Sequence, residues 1–230
     1  MSTKEDLPNV FLFVANIMDY GRVIMTAAAF YYAKHDPGLF LILYFVSFAL
    51  DMFDGMAARY FRQSSKYGAT LDMIIDRIST SGLLIICSHF YPEYSLVFIY
   101  LMMLDIGSHW LQTHSGFLDP NLLQTKGHGF NDNHKSLEEK FWILNFYYKN
   151  KYGLLFVCLG AELFLLQIYY LNFHKELLEL NWFKWLLYIN LAIYSLKQFI
   201  SCIQVVSASQ RIVRFDQKDI MLKRIENKHN

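Results

Sequence analysis

The chain has 230 residues, of which 54% are hydrophobic, 17% aromatic and only 18% charged. An ordinary soluble domain carries about 25% charged residues, so the composition argues against a solvated globular fold and for a chain built largely for lipid. The net charge of +1 gives no reason to expect nucleic acid, and the scattered Cys87, Cys158 and Cys202 argue against a disulfide framework or a zinc site.

The first ten residues are polar, with Lys4, Glu5 and Asp6, and lack the apolar core of a signal peptide. A membrane-crossing helix needs about 20 mostly apolar residues, and six segments qualify in chain order. The first runs from about Asn16 to Ala33, where the run Lys34 to Gly38 with its Pro-Gly pair breaks it. The second covers about Leu39 to Tyr60 and the third about Ala69 to Tyr91, followed by a Pro92-Glu93 turn. The fourth covers about Ser95 to Ser115. A polar loop over 116–151 follows, then a fifth helix from about Tyr152 to Leu171 and a sixth from about Trp182 to Ser207. The tail 208–230 is polar, with helical character at its start. The expectation is an all-α, polytopic membrane protein with six transmembrane helices in one domain, 1–230.

Lys and Arg crowd one side of this arrangement. With residues 1–15 in the cytoplasm, that side holds Lys4, Arg59, Arg62, Lys66, Lys126, Lys135, Lys140, Lys149, Lys151 and the tail cations. The other side holds Lys34, Lys175 and Lys184. This is the bias of the positive-inside rule, and it puts the loop and the tail in the cytoplasm too.

Ionisable residues inside a membrane are costly and usually functional. Asp51 and Asp54 lie near the end of the second helix, and Asp72 and Asp76 near the start of the third. Arg22 lies at a similar depth in the first. Spacings of three and four residues put each acid pair on one helix face, and four carboxylates at one level repel unless cations neutralise them. Oxygen donors in this number suit Mg²⁺ or Mn²⁺, and two such ions form a clamp for phosphoryl transfer. Spacing alone leaves two other readings open. The acids pair with Arg59, Arg77 or Arg22 to hold helices together, or they line a proton or cation pathway. Gly55, Ala58 and Gly68 leave room for a ligand or a neighbouring backbone.

Together these residues read Asp51-x2-Asp54-Gly55-x2-Ala58-Arg59-x8-Gly68-x3-Asp72-x3-Asp76. The pattern resembles the signature of the CDP-alcohol phosphatidyltransferases at all eight fixed positions. Chance would give such a match with a probability on the order of 10⁻¹⁰ per starting position. Weaker similarity to the eukaryotic phosphatidylinositol synthases of that family runs through Phe11 to Arg22, Leu71 to Thr80, Leu104 to Trp110, Asn133 to Ser136 and Gly160 to Phe164. Ala15 and Ala161 depart from it, where Pro and Asn are expected.

The resemblance implies the family's six-helix CDP-alcohol phosphotransferase fold, a homodimer among membrane lipids, and a site open to the cytoplasmic side of the endoplasmic reticulum membrane. It implies CDP-diacylglycerol and myo-inositol as substrates, phosphatidylinositol and CMP as products, and two Mg²⁺ or Mn²⁺ ions. Asp51, Asp54, Asp72 and Asp76 would be the metal ligands, with Asp76 also the general base. Gly55, Ala58, Arg59, Gly68, Asn16 and Arg22 would line the CDP-diacylglycerol site. For the acceptor, Asp105, Ser108, His109, Glu162 and Lys197, with Lys135 of the loop, offer mixed donors and acceptors with few cations. A neutral polyol fits that set better than a phosphorylated acceptor, which wants an arginine cluster. The same chemistry on glycerol 3-phosphate, serine or choline is the nearest alternative. A non-enzymatic ion or proton transporter is the other, although the second half of the chain has no matching acid cluster.

Overall fold

The computed structural model describes residues 8–118 and 150–229. The expectations placed on Lys4 and on Lys126, Lys135, Lys140 and Lys149 lie outside the described residues. The described residues form six long helices and no strand: α1 (Val14–Tyr32), α2 (Pro37–Tyr60), α3 (Lys66–Phe90), α4 (Ser95–Leu118), α5 (Lys151–Leu171) and α6 (Asn181–His229). Short 3₁₀ turns cover Val10–Leu12, Pro92–Tyr94 and Lys175–Glu179.

Local chemistry sets the helix ends and shifts some of them from the expected positions. The second helix starts at Pro37 because Asp36 caps it, its carboxylate accepting from Leu39 N at 2.9 Å, with Pro preorganised in the first turn. Ser65 starts α3 at Lys66, its Oγ accepting from Gly68 N at 2.9 Å. The Asn150 side chain caps α5 by accepting from Gly153 N at 3.1 Å. Neither Gly nor Pro occurs in Asn181–His229, so α6 continues without interruption far beyond the expected end near Ser207. At 1.5 Å per residue it is roughly 70 Å long, about twice the hydrocarbon core of a bilayer.

Among the described residues, four segments are long and apolar enough to cross a membrane: Pro37–Tyr60, Pro92–Leu118, Tyr152–Leu171 and Asn181–Asn227. The two other long helices carry Asp19 and Arg22 in α1, and Asp72, Asp76 and Arg77 in α3. These charges lower the mean hydropathy of both helices.

Residues Met1–Phe90 and Tyr91–Asn230 form two compact units. In the first, α1 packs on both α2 and α3. Arg22 meets Asp72 and Asp76, Thr26 meets Ser79 and Lys34 meets His89, so α1 and α3 run parallel. Arg22 also meets Asp54 and Thr26 meets Ser47, so α2 runs antiparallel to both. In the second unit α6 packs on both α4 and α5. There Gln167 meets Asn190 and Phe164 meets Tyr194, an antiparallel pairing of α5 and α6.

The α2–α3 turn ends α2 with paired capping bonds. Gln63 N donates to Ala58 O at 2.8 Å and Arg62 N to Arg59 O at 3.3 Å. This 6→1 and 5→2 pattern needs a left-handed residue just past the helix, and Arg62 supplies it with a φ of 55°. The same turn then holds α1, because Gln63 Oε1 accepts from Val14 N at 3.0 Å. Lower in the unit, Gly82 lets α3 approach Phe30 so closely that an added Cβ would overlap the ring.

Gly82→Ala should therefore destabilise the first unit by about 1–3 kcal/mol. Thermal melting of the purified protein measures the loss, and Phe30→Leu in the same chain should restore part of it. A melting temperature unchanged by Gly82→Ala would show that the α1–α3 contact is looser than described.

Candidate active site

The first unit gathers acids around one guanidinium. Helix α1 sets Asp19 and Arg22 three residues apart, α2 does the same with Asp51 and Asp54, and α3 sets Asp72 and Asp76 four apart. Because α1 packs between the ends that carry these pairs, its arginine reaches all of them. Arg22 Nη1 donates to Asp19 Oδ1 at 3.1 Å, Asp54 Oδ2 at 3.0 Å and Asp72 Oδ1 at 2.7 Å. Its Nη2 reaches Asp51 Oδ1 at 2.5 Å and Asp76 Oδ1 at 2.6 Å. Arg77 stands 3.7 Å from the other oxygen of Asp76.

Exposure divides the cluster. The side chains of Asp51, Asp72 and Asp76 are 29%, 41% and 33% exposed, whereas Asp19 and Asp54 are 2% and 8% exposed. A ligand therefore meets Asp51, Asp72 and Asp76 at the surface of the unit, and Asp19 and Asp54 form the floor.

Among the described residues, two groups of three acids bring ligand oxygens within 4.8 Å of one another: Asp19, Asp54 and Asp72, and Asp51, Asp72 and Asp76. The donors are all carboxylate oxygens, the set that hard divalent ions take. With every acid ionised, the five carboxylates outnumber the Arg22 and Arg77 guanidiniums by three, so negative charge remains for cations to neutralise. The cluster thus fits metal binding in donor type, spacing and charge.

The other proposed donor-site residues lie around this cluster. Asn16 is buried, and its Nδ2 donates to Val10 O at 2.6 Å. Its Oδ1 faces Gly68 so closely that a Cβ there would stand 2.7 Å away. Arg59 folds back along α2 over Gly55, with Nη1 at 3.4 Å from where a Cβ would be. Ala58 O accepts the capping bond from Gln63.

The second unit holds the other residues singled out by sequence, apart from Lys135. Asp105, Ser108 and Lys197 are buried, and Lys197 Nζ donates to Asp105 Oδ1 at 3.2 Å between α6 and α4. His109 Nδ1 donates to the Asp105 carbonyl at 2.8 Å, and Ser108 Oγ to the same carbonyl at 3.1 Å. Glu162 is half-buried on α5.

Sequence reasoning missed two features. Asp19 was not singled out, although an acid one turn before an arginine in an apolar segment is a usable signal. The polar face of α4 was seen only in part. Asp105, Ser108, Gln112 and Ser115 recur at helical spacing and are all buried, and Gln112 accepts from Arg211 Nη2 at 2.8 Å.

Comparison with known proteins bears on both units. The family model described as CDP-alcohol phosphatidyltransferase matches residues 12–195. An Arabidopsis thaliana protein named probable CDP-diacylglycerol–inositol 3-phosphatidyltransferase 2 is 34% identical over 219 residues, covering 90% of this chain and 92% of its own length. The Rattus norvegicus and Homo sapiens proteins named CDP-diacylglycerol–inositol 3-phosphatidyltransferase are 34% and 33% identical, each match covering 92% of this chain and 96% of the relative. No solved structure gives a significant match. The spaced acids, their convergence in space and a family match across most of the length agree, and the chain belongs to the CDP-alcohol phosphatidyltransferase family.

Proposed function

We propose that this chain transfers the phosphatidyl group of CDP-diacylglycerol to a hydroxyl of myo-inositol, giving phosphatidylinositol and CMP. The observation that carries this reading is the convergence of Asp51, Asp54, Asp72 and Asp76 on one guanidinium at one end of three helices. The names of the relatives add the acceptor.

In this reading the four motif acids hold two divalent ions, Mg²⁺ or Mn²⁺. When bound, these ions offset the pyrophosphate charge and the negative charge that grows on the departing CMP. The chain's own residues orient the reactants. Asp76 lies at the exposed rim and takes the proton of the attacking inositol hydroxyl, the role of a positioned base. The new P–O bond forms at the β-phosphorus as the bond to the CMP oxygen breaks in line. Gly55, Ala58, Arg59, Gly68, Asn16 and Arg22 serve the CDP-diacylglycerol site. Asp105, Ser108, His109, Glu162, Lys135 and Lys197 serve the acceptor, whose neutral hydroxyls call for mixed donors and acceptors.

The proposed architecture has six membrane spans in a single domain, both termini in the cytoplasm, and the carboxylates on the cytoplasmic side. Two observations support it. The helices of the first unit alternate in direction, and Arg59, Arg62 and Lys66 lie at the carboxylate end of that unit. We place the enzyme in the endoplasmic reticulum membrane as a homodimer, and the tail cations Arg211, Arg214, Lys218, Lys223 and Arg224 against anionic lipid.

The test is acceptor-dependent CMP release by protein purified in detergent, with CDP-diacylglycerol and Mn²⁺ or Mg²⁺. The expected result is release with myo-inositol, abolished by chelation and restored by either ion. Release with serine, choline or glycerol 3-phosphate in place of inositol would overturn the acceptor. Asp54→Asn should lower the rate by at least roughly 100-fold.

A second prediction concerns Gly68. Gly68→Ala pushes a methyl into Asn16 and Ser65 Oγ and should slow CMP release roughly tenfold. Gly21→Ala, with nothing within 4 Å of its added Cβ, should leave the rate near wild type. Equal rates for the two variants would remove Asn16 from the site.

A further inference from the structure

The proposed reaction leaves Asp19 without a role, yet its carboxylate is the most buried of the five around Arg22, only 2% exposed. It is no part of the Asp motif on α2 and α3. It lies on α1 itself, three residues before the arginine it contacts.

The arginine needs such a contact. Its Nε has no hydrogen-bond partner among the described residues, so its orientation rests on what Nη1 and Nη2 find. Four of their acceptors are the motif acids. A cation bound by those acids competes with the guanidinium for their negative charge. A buried guanidinium that lost them all would be left without a counter-ion, an expensive state in a low-dielectric interior. The Asp19 carboxylate lies on the floor of the cluster, away from the rim where Asp51, Asp72 and Asp76 are exposed.

We propose that Asp19 is a positioning residue that holds the Arg22 guanidinium from within α1, so that the motif acids can take divalent ions while the arginine keeps a counter-ion. The proposal deepens the function proposed above and rests on the motif acids binding metal. Asp19 acts through Arg22 and touches no substrate. Substituting its carboxylate leaves the guanidinium to draw more on the motif acids, and ion binding weakens by that competition. With Arg22 also replaced, there is nothing left for Asp19 to hold.

The experiment is a double-mutant cycle on the full-length protein in detergent, with Mn²⁺ binding followed by electron paramagnetic resonance of the free ion. The variants are Asp19→Asn, Arg22→Gln and the pair. Asp19→Asn should weaken Mn²⁺ binding roughly tenfold when Arg22 is present, the size seen when a group supporting metal ligands is removed. In the Arg22→Gln background it should add less than about twofold. The kcat for CMP release should follow the same pattern, with the KM for inositol unchanged.

Equal weakening in both backgrounds would make Asp19 a metal ligand in its own right and overturn the proposal. No weakening in either would make it a packing residue and overturn it as well. If Asp19→Asn does not fold, Asp19→Glu serves in the same cycle, since it keeps the charge and misplaces the carboxylate. A wild-type protein that binds Mn²⁺ but releases no CMP with inositol would overturn the proposed reaction and leave the Mn²⁺ cycle to judge Asp19.

Discussion

Carboxylates crowded into a low-dielectric setting repel one another, and the first unit is organised around relieving that repulsion. Arg22 supplies one positive charge to Asp19, Asp51, Asp54, Asp72 and Asp76 through the two ends of its planar fork. Lysine could not do this, since its single ammonium is a point charge without two separated donor groups. The remaining negative charge is the feature from which divalent-ion chemistry follows. Charge, more than shape, makes this end of the unit fit for divalent cations.

The helix packing that brings the acids together is maintained along the whole of α1. Below the cluster Thr26 Oγ1 lies 2.9 Å from Ser47 Oγ on α2 and 3.4 Å from Ser79 Oγ on α3. Hydroxyls between helices satisfy one another where no water reaches. Further along, Gly82 admits the Phe30 ring, whose centroid lies 6.4 Å from that of Tyr44 on α2. At the other end Gln63 ties the start of α1 to the α2–α3 turn. A shift of α1 by one residue would disturb each of these contacts at once, so packing along its length locks the arginine's height.

The second unit solves a similar problem with a different stoichiometry. Its buried acid and base, Asp105 and Lys197, compensate each other, and Gln112, Asn190 and Gln167 are engaged in neutral or charge-assisted hydrogen bonds across helices. The polar face of α4 therefore has little uncompensated charge. This buried, compensated face contrasts with the acidic cluster of the first unit.

Much of this was legible in the residues alone. Hydrophobic runs located the first five helices within a few residues and the start of the sixth, but not its end, which lies 22 residues beyond the expected Ser207. The i,i+3 and i,i+4 spacings of the acids fixed their shared faces, since helix geometry makes no reference to the rest of the fold. Boundaries were less secure. The start of α2 at Pro37 depends on a cap by Asp36, and the length of α6 on the absence of any breaker over 49 residues. What local sequence could not decide was which groups meet. That Arg22 serves five acids, that Asp19 lies on the floor beneath Asp51, Asp72 and Asp76, and that Gln112 finds Arg211 across 99 residues of chain depend on the register between helices. Register follows from close-packed side chains and small residues acting together, and no single segment contains that information.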